Sequence, residues 1–82
     1  MRKDELVKIM NTLSAAYGDK FLITNDRMLL FWDYFKEYDP REVWWGMKDY
    51  ISKNRFPPTI CDLLESVEPY KGRAKGKTNG KN

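Results

Sequence analysis

The side chains that could do chemistry in this chain are one thiol, Cys61, twelve carboxylates, and three tryptophans at positions 32, 44 and 45. Histidine is absent, which removes the commonest general base and the commonest metal ligand. One cysteine cannot assemble a thiolate cluster, and no evident base stands ready to activate it. Cys61 is therefore expected to be a small buried or half-buried apolar residue. The glycines, Gly18, Gly46 and three near the end of the chain, form no phosphate-cradling loop. The carboxylates fall on polar helical faces as solubilising charge. No catalytic, cofactor or metal constellation emerges, so the expected mode of action is binding to another macromolecule and not catalysis.

Charge gives the next set of candidates. Residues 71–82 carry Lys71, Arg73, Lys75, Lys77 and Lys81 without an acid, whereas the preceding 70 residues hold 10 bases against 12 acids. The basicity belongs to the end of the chain and not to a face of the body, where a nucleic-acid-binding domain would carry it. Such a segment has three readings: a salt-sensitive contact to nucleic-acid phosphates, a docking strand for an acidic protein surface, or a solvated end. With only Ala74 apolar, residues 71–82 are expected to be disordered when free.

Trp45 is the sharpest single residue. Helical periodicity puts it with Arg41, Lys48, Asp49 and Ser52 on a polar face, and exposed tryptophans are enriched among interface hot spots. The plainer reading has Trp45 packed beneath the N-terminus, the tail or a loop. Together with the cations beside it, the candidate partner-binding set is Trp45, Arg41, Lys48, Lys71, Arg73, Lys75 and Lys77.

The elements that position these residues are helices. Leu6, Ile9, Met10, Leu13, Ala16 and Tyr17 form the stripe of a first helix that Gly18 stops. Thr24 or Asn25 caps a second. Its arc of Met28, Phe31, Trp32, Phe35 and Tyr38, widened by Leu30 and Tyr34, marks it as the central, most buried helix. Asp39 caps a third, with Pro40 at the first helical position and Glu42 expected to close a capping box. Val43, Trp44, Met47, Tyr50 and Ile51 are its core face. Phe56-Pro57-Pro58 is a rigid connector in which Phe56 is expected to plug the core. Thr59, with Asp62, opens a short fourth helix over Ile60, Leu63, Leu64 and Val67. The fold class is thus all-α: a compact bundle of three main helices and a short fourth over residues 1–70, with a flexible basic tail over 71–82. An 82-residue chain supports one such domain. No apolar run is long enough to cross a membrane, no apolar signal core opens the chain, and a lone cysteine suits a reducing compartment.

The order of these features resembles the phage replicative-helicase loader/inhibitor family. That family has a small helical domain with an Arg–x4–Trp second helix, matched by Arg27 and Trp32. It also has a Phe-Pro-Pro-Thr/Ser-Ile string before the last helix, matched by Phe56, Pro57, Pro58, Thr59 and Ile60. The resemblance covers residues 4–68. It implies an adaptor that binds a hexameric DnaB-type helicase, in its ATP-bound form, restrains it and assists its loading at the phage origin, in the cytoplasm of a bacterial host. The matched residues themselves read as scaffold. The family's helicase contact is attributed to a long C-terminal segment, while here only about a dozen residues follow Tyr70, which shifts the expected contact toward the folded body. The alternative is a small phage-type inhibitor that occludes another host enzyme, such as a nuclease. A third reading, a nucleic-acid module using helix three and the tail, is opposed by Glu42 and Asp49 beside Arg41, Lys48 and Lys53; weak nucleic-acid contact through the tail stays open. A monomer is expected.

Overall fold

In the computed structural model, which describes residues 1–74, four α-helices follow one another: α1 Lys3–Tyr17, α2 Asn25–Phe35, α3 Pro40–Lys53 and α4 Ile60–Val67. Single 3-10 turns at Gly18–Lys20 and Glu68–Tyr70 continue α1 and α4. Local chemistry sets most boundaries. Gly18 takes a positive φ of 62° at the end of α1, a conformation that carries no Cβ penalty for glycine. The Thr24 side chain accepts the Arg27 N–H at 3.1 Å and opens α2. Asp39 accepts the Arg41 N–H at 2.9 Å, with Pro40 first in α3. At α4, Thr59 accepts the Asp62 N–H while the Asp62 carboxylate accepts the Thr59 N–H, both at 3.1 Å. Each cap satisfies donors that the first helical turn leaves without a partner.

The core is one cluster: Leu6, Ile9, Met10 and Leu13 of α1, Phe21, Phe31 and Phe35 around α2, Val43 and Met47 of α3, and Leu63 and Val67 of α4. Phe21 meets Phe31 edge-on, with ring centroids 6.0 Å apart, and Phe31 stacks on Phe35. The helix in the middle is α3, which packs on both α1 and α4, and not α2 as the breadth of its apolar arc implies. On α2 only Phe31 and Phe35 are buried, while Leu30 and Tyr34 are 51% and 50% exposed. An apolar arc states what a helix can bury, and the number of neighbours decides how much it does bury.

α3 and α4 meet at Gly46. A Cβ there would lie 2.7 Å from the Val67 Cα and 2.9 Å from the Ser66 carbonyl oxygen, so only glycine admits this approach. One turn earlier on the same face stands Glu42, which closes no capping box. It is 6% exposed, and its carboxylate accepts the backbone N–H groups of Gly72 at 2.9 Å and Ala74 at 3.3 Å. The folded body therefore runs past residue 70, and Ala74, placed in a disordered tail by composition, is buried. Two further expectations change. Phe56 does not plug the core but stands 65% exposed, with buried Pro58 taking that place. Cys61 is exposed, its thiol 3.9 Å from a Glu65 oxygen.

Tyr17 and Tyr50 tie the connector down by donating to the carbonyls of Asn54 at 3.0 Å and Phe56 at 3.1 Å. Burial holds both hydroxyls above the usual tyrosine range, with Asp62 adding to the effect at Tyr50. The fold favours the neutral donors, so this contribution is present below the usual tyrosine range and is lost as pH rises through it.

Gly46→Ala gains about 1 kcal/mol of helix propensity but forces a methyl into backbone at a cost of about 3 kcal/mol. A net loss near 2 kcal/mol is expected in urea unfolding. Glu42→Ala leaves two buried N–H groups without an acceptor and is expected to cost about 1–3 kcal/mol. Hydrogen exchange should then show the Gly72 and Ala74 amides losing protection ahead of the helices.

Candidate functional site

The N-terminal half of α3 lies beside the first half of α1, and a shallow groove of about 240 Å³ runs between them. Pro40, Arg41, Trp44 and Trp45 line it from α3, and Glu5, Lys8 and Ile9 from α1. Both tryptophans are half-buried. Trp44 packs on the edge of the core, and its ring also receives two ammonium groups. Lys8 lies 5.3 Å and Lys48 5.6 Å from the ring centroid. Each such contact contributes about 0.5–1 kcal/mol at an exposed site, and together they hold two positive charges on one indole.

Trp45 turns toward the end of the chain, where its ring meets Tyr70 at a centroid distance of 6.1 Å. Tyr70 in turn carries the Arg73 guanidinium at 5.2 Å. The plainer reading of Trp45, packed beneath a neighbouring segment, therefore describes much of its environment. An Arg73–Tyr70–Trp45 row joins the last described residues to the groove.

Arg41 reaches the same groove with its charge engaged: Nε and Nη2 donate to the two oxygens of Asp39 at 3.1 and 2.9 Å. That fork from Arg41, followed by the Arg41 N–H, holds the Asp39 carboxyl below the usual carboxylate range. Ionised Asp39 is what caps α3, so the cap is present at neutral pH and lost as pH falls through that lowered range. Lys71 stands apart from the tryptophans, its ammonium 5.2 Å from the Tyr38 ring. Lys75 and Lys77 lie outside the described residues.

Of the candidate set, the structure thus brings Trp45, Arg41, Lys48 and Arg73 to one side of α3 and sends Lys71 elsewhere. Periodicity overlooked Trp44, Lys8 and Tyr70. Trp44 and Lys48, four residues apart on one helix, were the available signal, whereas Lys8 and Tyr70 arrive from other elements. Arg27 and Trp32 are scaffold. Arg27 donates to the Leu22 carbonyl at 2.9 Å and lies over the Phe21 ring, and half-buried Trp32 packs on the core beneath Lys3. Pro58 and Thr59 are likewise structural. Among the described residues no group of His, Cys, Asp or Glu is placed to hold a metal ion. What the groove offers is aromatic surface bordered by cations, which is suited to recognition.

A family model for the N-terminal domain of the phage helicase loader/inhibitor gp39 family matches residues 1–64, taking in α1 to α3, the connector and half of α4. No curated protein and no solved structure matches the chain.

Trp45→Ala removes a half-buried ring and is expected to lower the unfolding free energy by about 2 kcal/mol, roughly half the cost of truncating a fully buried tryptophan. Urea denaturation followed by far-UV circular dichroism measures it.

Proposed function

We propose, starting from the fact that this chain belongs to the gp39 N-terminal-domain family, a phage helicase-associated family, that it is a monomeric adaptor without chemistry of its own. Its partner is a hexameric DnaB-type replicative helicase in the ATP-bound form, which it restrains and helps to load in the bacterial cytoplasm. The observation that carries the reading is the groove in which Trp44 and Trp45 stand side by side with Lys8 and Lys48 on the Trp44 ring. Interfaces concentrate their energy in tryptophan, tyrosine and arginine, and the row through Tyr70 and Arg73 extends the surface with just those types.

Lysines that already rest on an aromatic ring lose little freedom when a partner's carboxylates arrive. They also steer encounter with an acidic surface, more strongly at low salt. Lys71, Lys75 and Lys77 would add to this steering from the end of the chain, and weak contact with nucleic-acid phosphates would come from the same charges.

Co-elution with the helicase on a sizing column is expected with ATP and reduced without it. Charge reversal at Lys8→Glu with Lys48→Glu should weaken binding by about tenfold or more while leaving the unfolding midpoint near wild type, because both ammonium groups are at the surface. Absence of co-elution in every condition would replace this reading with that of an inhibitor occluding a different host enzyme.

A further inference from the structure

A second surface, sharing no residue with the tryptophan groove, is built where α2 meets the connector. Its centre is Phe56, 65% exposed although the main chain around it is held tightly. The Tyr17 hydroxyl secures the Asn54 carbonyl and the Tyr50 hydroxyl secures that of Phe56 itself. Pro57 and Pro58 then fix two φ angles, Pro58 is buried, and Thr59 caps α4. A phenylalanine on a loose loop can fold back onto the protein; this one is kept outside by its backbone.

Beside it opens a groove of about 390 Å³, walled by Leu30, Pro57 and Ile60 over the buried rings of Phe21 and Phe31. Lys20 and Arg27 also line it. The Lys20 ammonium lies 5.5 Å from the Phe56 ring, and Arg55 is the residue before Phe56. Among the described residues, none of these three cations pairs with a carboxylate. The acid on the first turn of α4, Asp62, is engaged by the Thr59 N–H.

We propose that this surface docks an acidic segment of a partner protein, an apolar side chain of the segment entering the groove against Leu30 and Phe56 while its carboxylates face Lys20, Arg27 and Arg55. A second copy of this chain is disfavoured, because the same face presented twice sets like charges against each other. Single-stranded nucleic acid is a poorer match, because its platforms offer successive aromatic rings and this one offers a single phenylalanine between aliphatic and proline walls. Pre-organisation of Phe56 lowers the ordering cost of binding. The assignment holds whichever partner takes the tryptophan groove.

Amide and methyl NMR of the full chain tests it with a short amphipathic peptide of Leu and Glu as probe, its Leu/Lys counterpart, and oligothymidylate. Expected are saturable shifts at Leu30, Phe56 and Ile60 with the Leu/Glu peptide alone, weakened about tenfold by Leu30→Ser with Phe56→Ala. Both residues are exposed, so the variant's dispersed spectrum should persist and separate lost binding from lost fold. Should that double variant unfold, Lys20→Glu with Arg55→Glu carries the test, with the same weakening expected. No response to the Leu/Glu peptide, or an equal response to the Leu/Lys peptide, overturns the proposal. So do shifts at these residues with oligothymidylate instead, or with rising protein concentration alone.

Discussion

Because Gly46 has no Cβ, the α4 backbone at Val67 settles directly on α3, 2.7 Å from where that carbon would stand. Much of the rest follows from this approach. It brings the Glu68–Tyr70 turn against α3 and sets Tyr70 beside Trp45. It also carries the chain over Glu42, one turn before Gly46 on the same face. A larger residue at position 46 would separate the two helices and, with them, the two halves of the aromatic row.

Glu42 turns the same approach into a polar constraint. A carboxylate at 6% exposure is stable only with hydrogen-bond partners, and the Gly72 and Ala74 amides supply them. The segment carrying Arg73 is thereby part of the fold, and its guanidinium over Tyr70 is presented from an anchored backbone. Composition alone, with lysine and glycine dominating residues 71–82, describes the same stretch as too polar to order. A single buried acceptor thirty residues away in sequence reverses that for its first four positions.

Small domains have little apolar surface to leave uncovered, yet here it is exposed in two places of different character. Around Trp44 and Trp45 the indoles are half-buried and lysines rest on them, so the site is part core and part recognition surface. Along α2 and the connector, Leu30, Tyr34 and Phe56 stand well out of the core. Charge separates the two further: the first mixes Asp39 and Glu5 with its cations, while Lys20, Arg27 and Arg55 border the second without a carboxylate partner. A rigid helical body with two dissimilar faces is suited to joining macromolecules.

The sequence by itself determined the number of helices, their starts and stops, and most of the core. Those depend on local rules: Thr24, Asp39 and Thr59 cap the turn that follows each, Gly18 ends α1, and the apolar stripe of α1 recurs every helical turn. The family was legible for the same reason, since its motifs are contiguous strings. The absence of a catalytic constellation could be read only as an expectation. Tertiary structure alone decided that α3, and not α2, lies in the middle, because centrality depends on neighbours and not on the width of an apolar arc. It also decided that Phe56 faces outward, since two tyrosine hydroxyls from α1 and α3 direct that backbone. Lys8 and Tyr70 joined the tryptophans across separations that helical periodicity does not record. Glu42 found its partners in a segment that reaches it only after α4 has packed on Gly46.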